Sequence, residues 1–194
     1  MKKSLAALIG LVALIGCTSY GLNVAYLASA GPSTEAQPIF LKVKDLRPDK
    51  MVVTPAVHQK DLFKEVGSFV QLTAKSPTGK TTRLSEAAAE DVFYEAFRVR
   101  LEAMGFSLLP ELEPGRPALV IEIEQFVLDL EGRYLKAKVA YLAKYSIGEK
   151  VKRKERLTGE QEEFYVMGKK TGEKILSEAF TSAVNRLDLS KMSQ

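Results

Sequence analysis

Apolar and polar residues alternate strictly over several short stretches of this chain, and recur at spacings of three and four over two longer ones. Tyr20, Leu22, Val24 and Tyr26 alternate with Gly21, Asn23 and Ala25, a period of two that predicts a short strand. After a break at Ala30-Gly31-Pro32-Ser33-Thr34, Ile39, Leu41 and Val43 alternate with Phe40, Lys42 and Lys44. This second strand ends at Asp45-Leu46-Arg47-Pro48. Residues 49–65 carry no clear period and read as a long loop with a short extended piece at Met51-Val52-Val53. Residues 66–74 predict another strand, closed by the turn signal Ser76-Pro77-Thr78-Gly79.

A helix is predicted from Ser85, where the serine hydroxyl would accept a backbone N–H and Glu86, Glu90 and Asp91 suit the positive end of the helix dipole. Ala89, Phe93, Ala96, Phe97, Leu101 and Met104 form its apolar stripe. Gly105 supplies a left-handed terminator, with Phe106 folding back on the last turn. Beyond Pro117, Leu119, Ile121 and Ile123 alternate with Val120, Glu122 and Glu124, and the phase slips near Gln125-Phe126, as at a bulge. Glu131-Gly132 is a turn, and the odd-numbered positions from Leu135 to Ile147 put one apolar face on a long strand. Gly148-Glu149 turns the chain into a charged strand, 150–164. A last helix over about 171–187 carries Ile175, Ala179, Ala183 and Leu187 on one face.

Hairpin-length connections make 117–164 an antiparallel meander, and two amphipathic helices need an apolar surface to share. The expected fold is α+β, an antiparallel sheet meander with two amphipathic helices packed on one face. The division expected is a signal peptide over 1–16, an acylated N-terminus and tether over 17–37, and a single α+β domain over 38–190.

Composition narrows the chemistry. The 194 residues are 46% hydrophobic and 27% charged, with a formal net charge of +4 and a pI of about 9.0. That is too mildly basic to argue for nucleic acid. Cys17 is the only cysteine, so the chain forms no internal disulfide, and His58 is the only histidine. A zinc site and a histidine-dependent nucleophile are both disfavoured, since each would have to run through His58. That residue lies in the Pro-containing stretch 54–60, which reads as solvated loop.

The N-terminus carries the most specific signal. Met1-Lys2-Lys3 precedes an apolar run from Leu5 to Ile15, as in a secretory signal. The run ends at Leu14-Ile15-Gly16-Cys17, which resembles the lipobox of bacterial lipoproteins. Cleavage between Gly16 and Cys17 would free an amine and a thiol for acylation, and two or three chains at about 0.8 kcal/mol per buried CH₂ anchor stably. Two rival readings stand beside this one. Ala28-Ser29-Ala30 is a small-x-small site for ordinary cleavage, and the absence of charge between Ser4 and Thr34 is long enough for an uncleaved span.

Other candidates carry a blander reading beside the functional one. The segment 74–81 satisfies a loose phosphate-loop pattern, but it has one glycine, and Pro77 removes an N–H from the would-be cradle. It reads as a turn, and no nucleotide, metal or other cofactor is expected. Glu122 and Glu124 share a strand face and read as outward positions rather than as an acid–base pair. Lys136, Lys138, Lys144, Lys152, Lys154 and Arg156, with Lys150 and Arg153 beside them, form a basic cluster. It reads as a solvated, aggregation-resistant face, or as a site for anionic lipid, lipopolysaccharide or an acidic envelope protein.

With the lipobox and these elements in view, the chain resembles the YajG-type outer-membrane lipoproteins. The shared look rests on Asp45-Leu46-Arg47 closing an early strand, on Phe69-Val70-Gln71-Leu72-Thr73-Ala74 before the helix, on Leu101-Glu102-Ala103-Met104-Gly105-Phe106 ending it, and on Ala183-Val184-Asn185 in the last helix. The order of elements also resembles the small lipoprotein of the lipopolysaccharide-assembly translocon. The resemblance implies location and architecture rather than a reaction. The function expected is that of a lipid-anchored, periplasm-facing outer-membrane protein with a binding, structural or assembly role and no catalysis. Thr18 carries no aspartate-type retention signal for the inner membrane. An accessory subunit of a lipid or lipopolysaccharide transport machine is the second expectation, and an enzyme of unrecognised type the third.

Overall fold

The computed structural model describes residues 21–31, 37–60, 63–64, 66–165 and 168–189. The chain folds as an α+β domain with mostly antiparallel sheets. In chain order the strands are β1 (Leu22–Leu27), β2 (Gln37–Asp45), β3 (Val70–Lys75), β4 (Thr81–Ala87), β5 (Phe106–Leu109), β6 (Pro117–Glu131), β7 (Tyr134–Ile147) and β8 (Lys150–Phe164). The helices are α1 (Pro55–His58), α2 (Ala89–Ala103) and α3 (Lys169–Asn185). The large sheet runs β5-β2-β6-β7-β8 and the small sheet β1-β3-β4.

The meander forms as its periodicity predicts. β6, β7 and β8 pair antiparallel, with the register slip between Ile123 and Gln125 where the alternation changes phase. Gly132 turns the β6–β7 hairpin with φ 63°. Leu135, Ala137, Val139, Tyr141, Ala143 and Tyr145 are buried, whereas Ile147 at the strand end is exposed. Both long helices lie on that face. Tyr141 packs its ring edge-on to Phe93 and Phe97 of α2 and donates from its hydroxyl to the Ala183 carbonyl of α3. Phe93 is the hub, with ring centroids 5.0 Å from Phe180 and 5.5 Å from Phe126. Each such aromatic pair adds about 0.5–1.5 kcal/mol beyond its buried area.

Several expectations are corrected. β1 is not part of a tether. It pairs in parallel with β3, and its Leu22, Val24 and Tyr26 are buried in the common core. The folded unit therefore begins by Leu22 rather than at residue 38. Ser85 does not cap a helix. The Ser76–Lys80 turn closes a hairpin, and residues 81–87 pair back on β3. The register shifts between Leu84 and Ala87, where Glu86 takes a φ of 54°, and α2 starts at Ala89 without a side-chain cap. The sheets are not purely antiparallel, since β2 pairs in parallel with both β5 and β6. β5 itself, from Phe106, is a short strand that the periodicity does not announce. Within 49–65, Val53 bridges Leu128 and α1 follows, with Val57 and Phe63 buried.

The Asp45-Leu46-Arg47 corner explains how that irregular segment is held. Arg47 is buried and donates to the Asp45 carboxylate from Nε and Nη2, and to the carbonyls of Lys50, Met51 and Phe126. The guanidinium thus satisfies a carbonyl next to the β6 bulge and ties the loop to it. Burial pushes the Asp45 carboxyl up. Hydrogen bonds from Arg47, together with its charge and Lys50, outweigh that and hold it below its ordinary value.

Two outcomes follow. A carboxylate with a depressed folded pKa stabilises above its unfolded value, about 3.9, and loses that contribution as pH falls through the folded one. Asp45→Asn strands the buried Arg47, and should cost about 3 kcal/mol at neutral pH. Urea melts across the acid range should show the gap to wild type closing below about pH 4; a constant gap would refute the ion-pair account. Gly159 of β8 is the second case, because a Cβ there would lie 2.0 Å from the Ala179 carbonyl oxygen of α3. Gly159→Ala should destabilise by at least about 3 kcal/mol, since backbone cannot give way as a side chain does. A wild-type melting midpoint would rule out this close crossing.

Candidate functional site

The outward face of the large sheet is where the charged side chains gather. Alternation along each strand sends Ile39, Leu41, Val43, Leu119, Ile121, Tyr141 and Ala143 inward. Pairing then sets the remaining residues in rows across the strands. One row is Lys42, Val120, Lys144 and Lys154, and the next is Lys44, Glu122, Leu142 and Arg156. At about 4.8 Å between strands, each row spans about 14 Å.

The basic cluster expected from the sequence divides in two here. Lys136 and Lys138 face Asp129, Glu160 and Glu162 near the β6–β7 hairpin. Lys136 Nζ lies 2.6 Å from Glu131 Oε2, and Lys138 Nζ lies 3.5 Å from Glu131 Oε1. The Lys136 hydrogen bond and charge pull the Glu131 carboxyl below its ordinary value, and Glu131 in turn raises Lys136. Lys144 and Lys154 lie eight or more residues along the strands from Lys136, about 26 Å away. The uncharged row Gln125, Ala140 and Thr158 intervenes. Lys152 sits at the bulge between Arg153 and Val151, out of the rows.

Acidic neighbours neutralise part of this second group. Lys144 pairs with Glu122 at 2.5 Å, and Arg156 with Glu124 at 2.6 Å. The two glutamates are therefore ion-pair partners of the face. Lys42, Lys44 and Lys154 make no ion pair among the described residues. Lys42 and Lys44 enter only because β2 lies in parallel beside β6, a neighbour relation that local periodicity does not reveal. Their alternation with Ile39, Leu41 and Val43 was the available signal. Five cations against two carboxylates, with Val120 and Leu142 between them, form a surface that attracts phosphate, sulfate or carboxylate groups.

The other candidates fall elsewhere. Residues 74–81 form the β3–β4 turn, and a strand rather than a helix follows. His58 ends α1, and its side chain makes no hydrogen bond among the described residues. No group of three metal-binding side chains occurs among the described residues. Gly16 and Cys17 lie outside them.

No protein-family model and no curated protein sequence matches the chain. Among solved structures it is similar to protein XCC0632 from Xanthomonas campestris, of the family DUF330. Identity is 14% with a TM-score of 0.58, over 84% of this chain and 90% of that one. At that identity the likeness is one of fold.

The unpaired lysines should dominate any anion binding. Lys42→Glu with Lys154→Glu should elute from a heparin column at clearly lower salt. Lys136→Glu with Lys138→Glu, at positions already matched to Glu131, should shift elution less. Neither pair should change stability by more than about 0.5 kcal/mol per site. Equal shifts would mean that net charge alone sets the affinity.

Proposed function

We propose that this chain is a lipid-anchored protein of the outer membrane, held through Cys17, whose periplasm-facing body serves as a non-catalytic binding or assembly component of the cell envelope. The observation that carries this reading is β1. Leu22, Val24 and Tyr26 are buried, and the strand is hydrogen-bonded between β3 and α3. A cut after Ala30 would delete this core strand. A membrane helix running on to Thr34 would have to unmake it. A cut before Cys17 keeps the strand and leaves four residues between the acylated cysteine and Leu22. Of the three readings of the N-terminus, the lipobox is the one that β1 supports best. No helix among the described residues is long and apolar enough to cross a membrane.

The second reading makes the chain an accessory subunit of a lipid or lipopolysaccharide transport assembly. It is favoured by Lys42, Lys44 and Lys154, which make no ion pair among the described residues and suit an acidic protein surface or phosphorylated lipid delivered to that face. The YajG-type resemblance is compatible with both readings, since it speaks to location.

Metabolic labelling with a fatty-acid analogue should mark the wild type and leave Cys17→Ser unmarked, with the mutant accumulating as an unprocessed or soluble form. Equal labelling of the two would remove the anchor. Labelling of the wild type combined with an N-terminus after Ala30 would contradict the argument from β1.

A further inference from the structure

Exposed aromatic side chains gather at one end of the body, the end from which the chain runs back to Cys17. A chain of contacts establishes this. The Asn23 N–H, one residue into β1, donates to Glu173 in the first turns of α3. The next residue of α3, Lys174, pairs with Glu163 at 2.8 Å. Phe164 follows Glu163, and its half-exposed ring meets that of Tyr134 edge-on at 5.6 Å. On the other side of β1, Phe69 precedes the Val70 that pairs with Leu22, and it is 54% exposed. Of the four aromatic residues exposed among the described residues, Phe69, Tyr134 and Phe164 lie at this end, and Tyr94 on the second turn of α2 is the fourth. Arg133 in the hairpin tip and Lys170 at the start of α3 are exposed beside them.

The leash is short. Four residues lie between Cys17 and Leu22, so the two are at most about 17 Å apart even when the chain is fully extended. On the reading that Cys17 is acylated, Leu22 and the start of β1 stay within about 17 Å of the anchored cysteine. The aromatic rings, with Arg133 and Lys170 among charges of both signs that include Glu131 and Glu162, match the membrane–water interface, where amphipathic rings settle at headgroup level and Lys and Arg meet lipid phosphates. Desolvating three rings in free solution has no such partner. We propose that the end bearing Phe69, Tyr134 and Phe164 is a bilayer-docking surface, seated in the headgroup region of the membrane that holds the Cys17 acyl chains. This rests on the lipid-anchor reading and adds a fixed orientation to it. The β7–β8 turn then points away from the membrane, since Val151 lies thirteen residues from Phe164, about 43 Å along the strand.

The absence of tryptophan from the chain supplies a direct test. Phe69→Trp, Phe164→Trp and Val151→Trp each introduce a single reporter at an exposed position. Each full-length acylated protein is incorporated into vesicles of phosphatidylethanolamine and phosphatidylglycerol, with and without brominated acyl chains, and recovered by flotation. The expected result is a blue shift and loss of most of the emission for Trp at 69 and 164 in brominated vesicles, with Trp at 151 unchanged. Flotation with no quenching at 69 and 164, or with equal quenching at all three, overturns the docking surface while leaving the anchor intact. Failure of the wild type to float overturns the anchor, and this inference with it.

Discussion

The fold depends on how α3 substitutes for a missing strand. The free edge of β1 faces the helix, and α3 presents Glu173, Ser177, Thr181 and Asn185 to it at spacings of four. Glu173 and Ser177 accept from the N–H groups of Asn23 and Ala25, while Thr181 and Asn185 donate to the carbonyls of Ala25 and Leu27. The match is metrical. Four helical residues advance about 6.0 Å, and two strand residues about 6.6 Å, so helix and strand stay in step over one six-residue strand and no further. Unpaired backbone groups next to a core would otherwise cost about 1–3 kcal/mol each. The polar stripe of α3 is thus a structural edge-cap, with the opposite face of the helix pressed onto Gly159 of β8.

The lower end of the same helix is fixed by a buried cation. Arg100 of α2 donates to the Ser29 carbonyl and hydroxyl and to the carbonyls of Asn185 and Leu187. The negative end of the α3 dipole and its unsatisfied carbonyls take the role that a carboxylate would otherwise fill. Arg47 solves a related problem differently, since Asp45 supplies a full counter-charge there. One guanidinium ties a loop to a bulge, and the other ties the exit of β1 to two helices.

Local pattern and non-local pairing divide what the sequence discloses. Strand alternation in β2, β6 and β7, the bulge after Ile123, the stripe of α2 and the Gly105 terminator all depend on neighbours within a few residues. Each is legible. Ser85 misleads because a capping signature and a hairpin strand compete for the same residues, and β3 as partner decides the matter. β1 has the alternation of a strand, but its burial depends on α3, about 150 residues later. For the same reason the basic cluster looks continuous along β7 and β8 and is not. Cross-strand acids take up Lys136, Lys138, Lys144 and Arg156, while β2 contributes Lys42 and Lys44 from far away in the chain.

The uncovered face and the long free edge of β8 impose a further constraint. A fifteen-residue edge strand is a template for pairing with another chain. Alternating Lys, Arg and Glu along β8 raise the cost of that pairing, which accounts for much of its charge without any ligand. The same explanation extends to Lys42 and Lys44, because β5 pairs with β2 only over Gln37–Phe40 and residues 41–45 of β2 have no strand partner on that side among the described residues. They do not pair with Glu122, which lies opposite Lys44 and one row from Lys42. Like charges on adjacent positions of one face repel modestly, a small cost that protection of this open edge offsets. The lysines of β2 therefore guard an open edge in the folded body and, without an ion-pair partner among the described residues, stay available to an approaching anion; the two roles do not exclude each other.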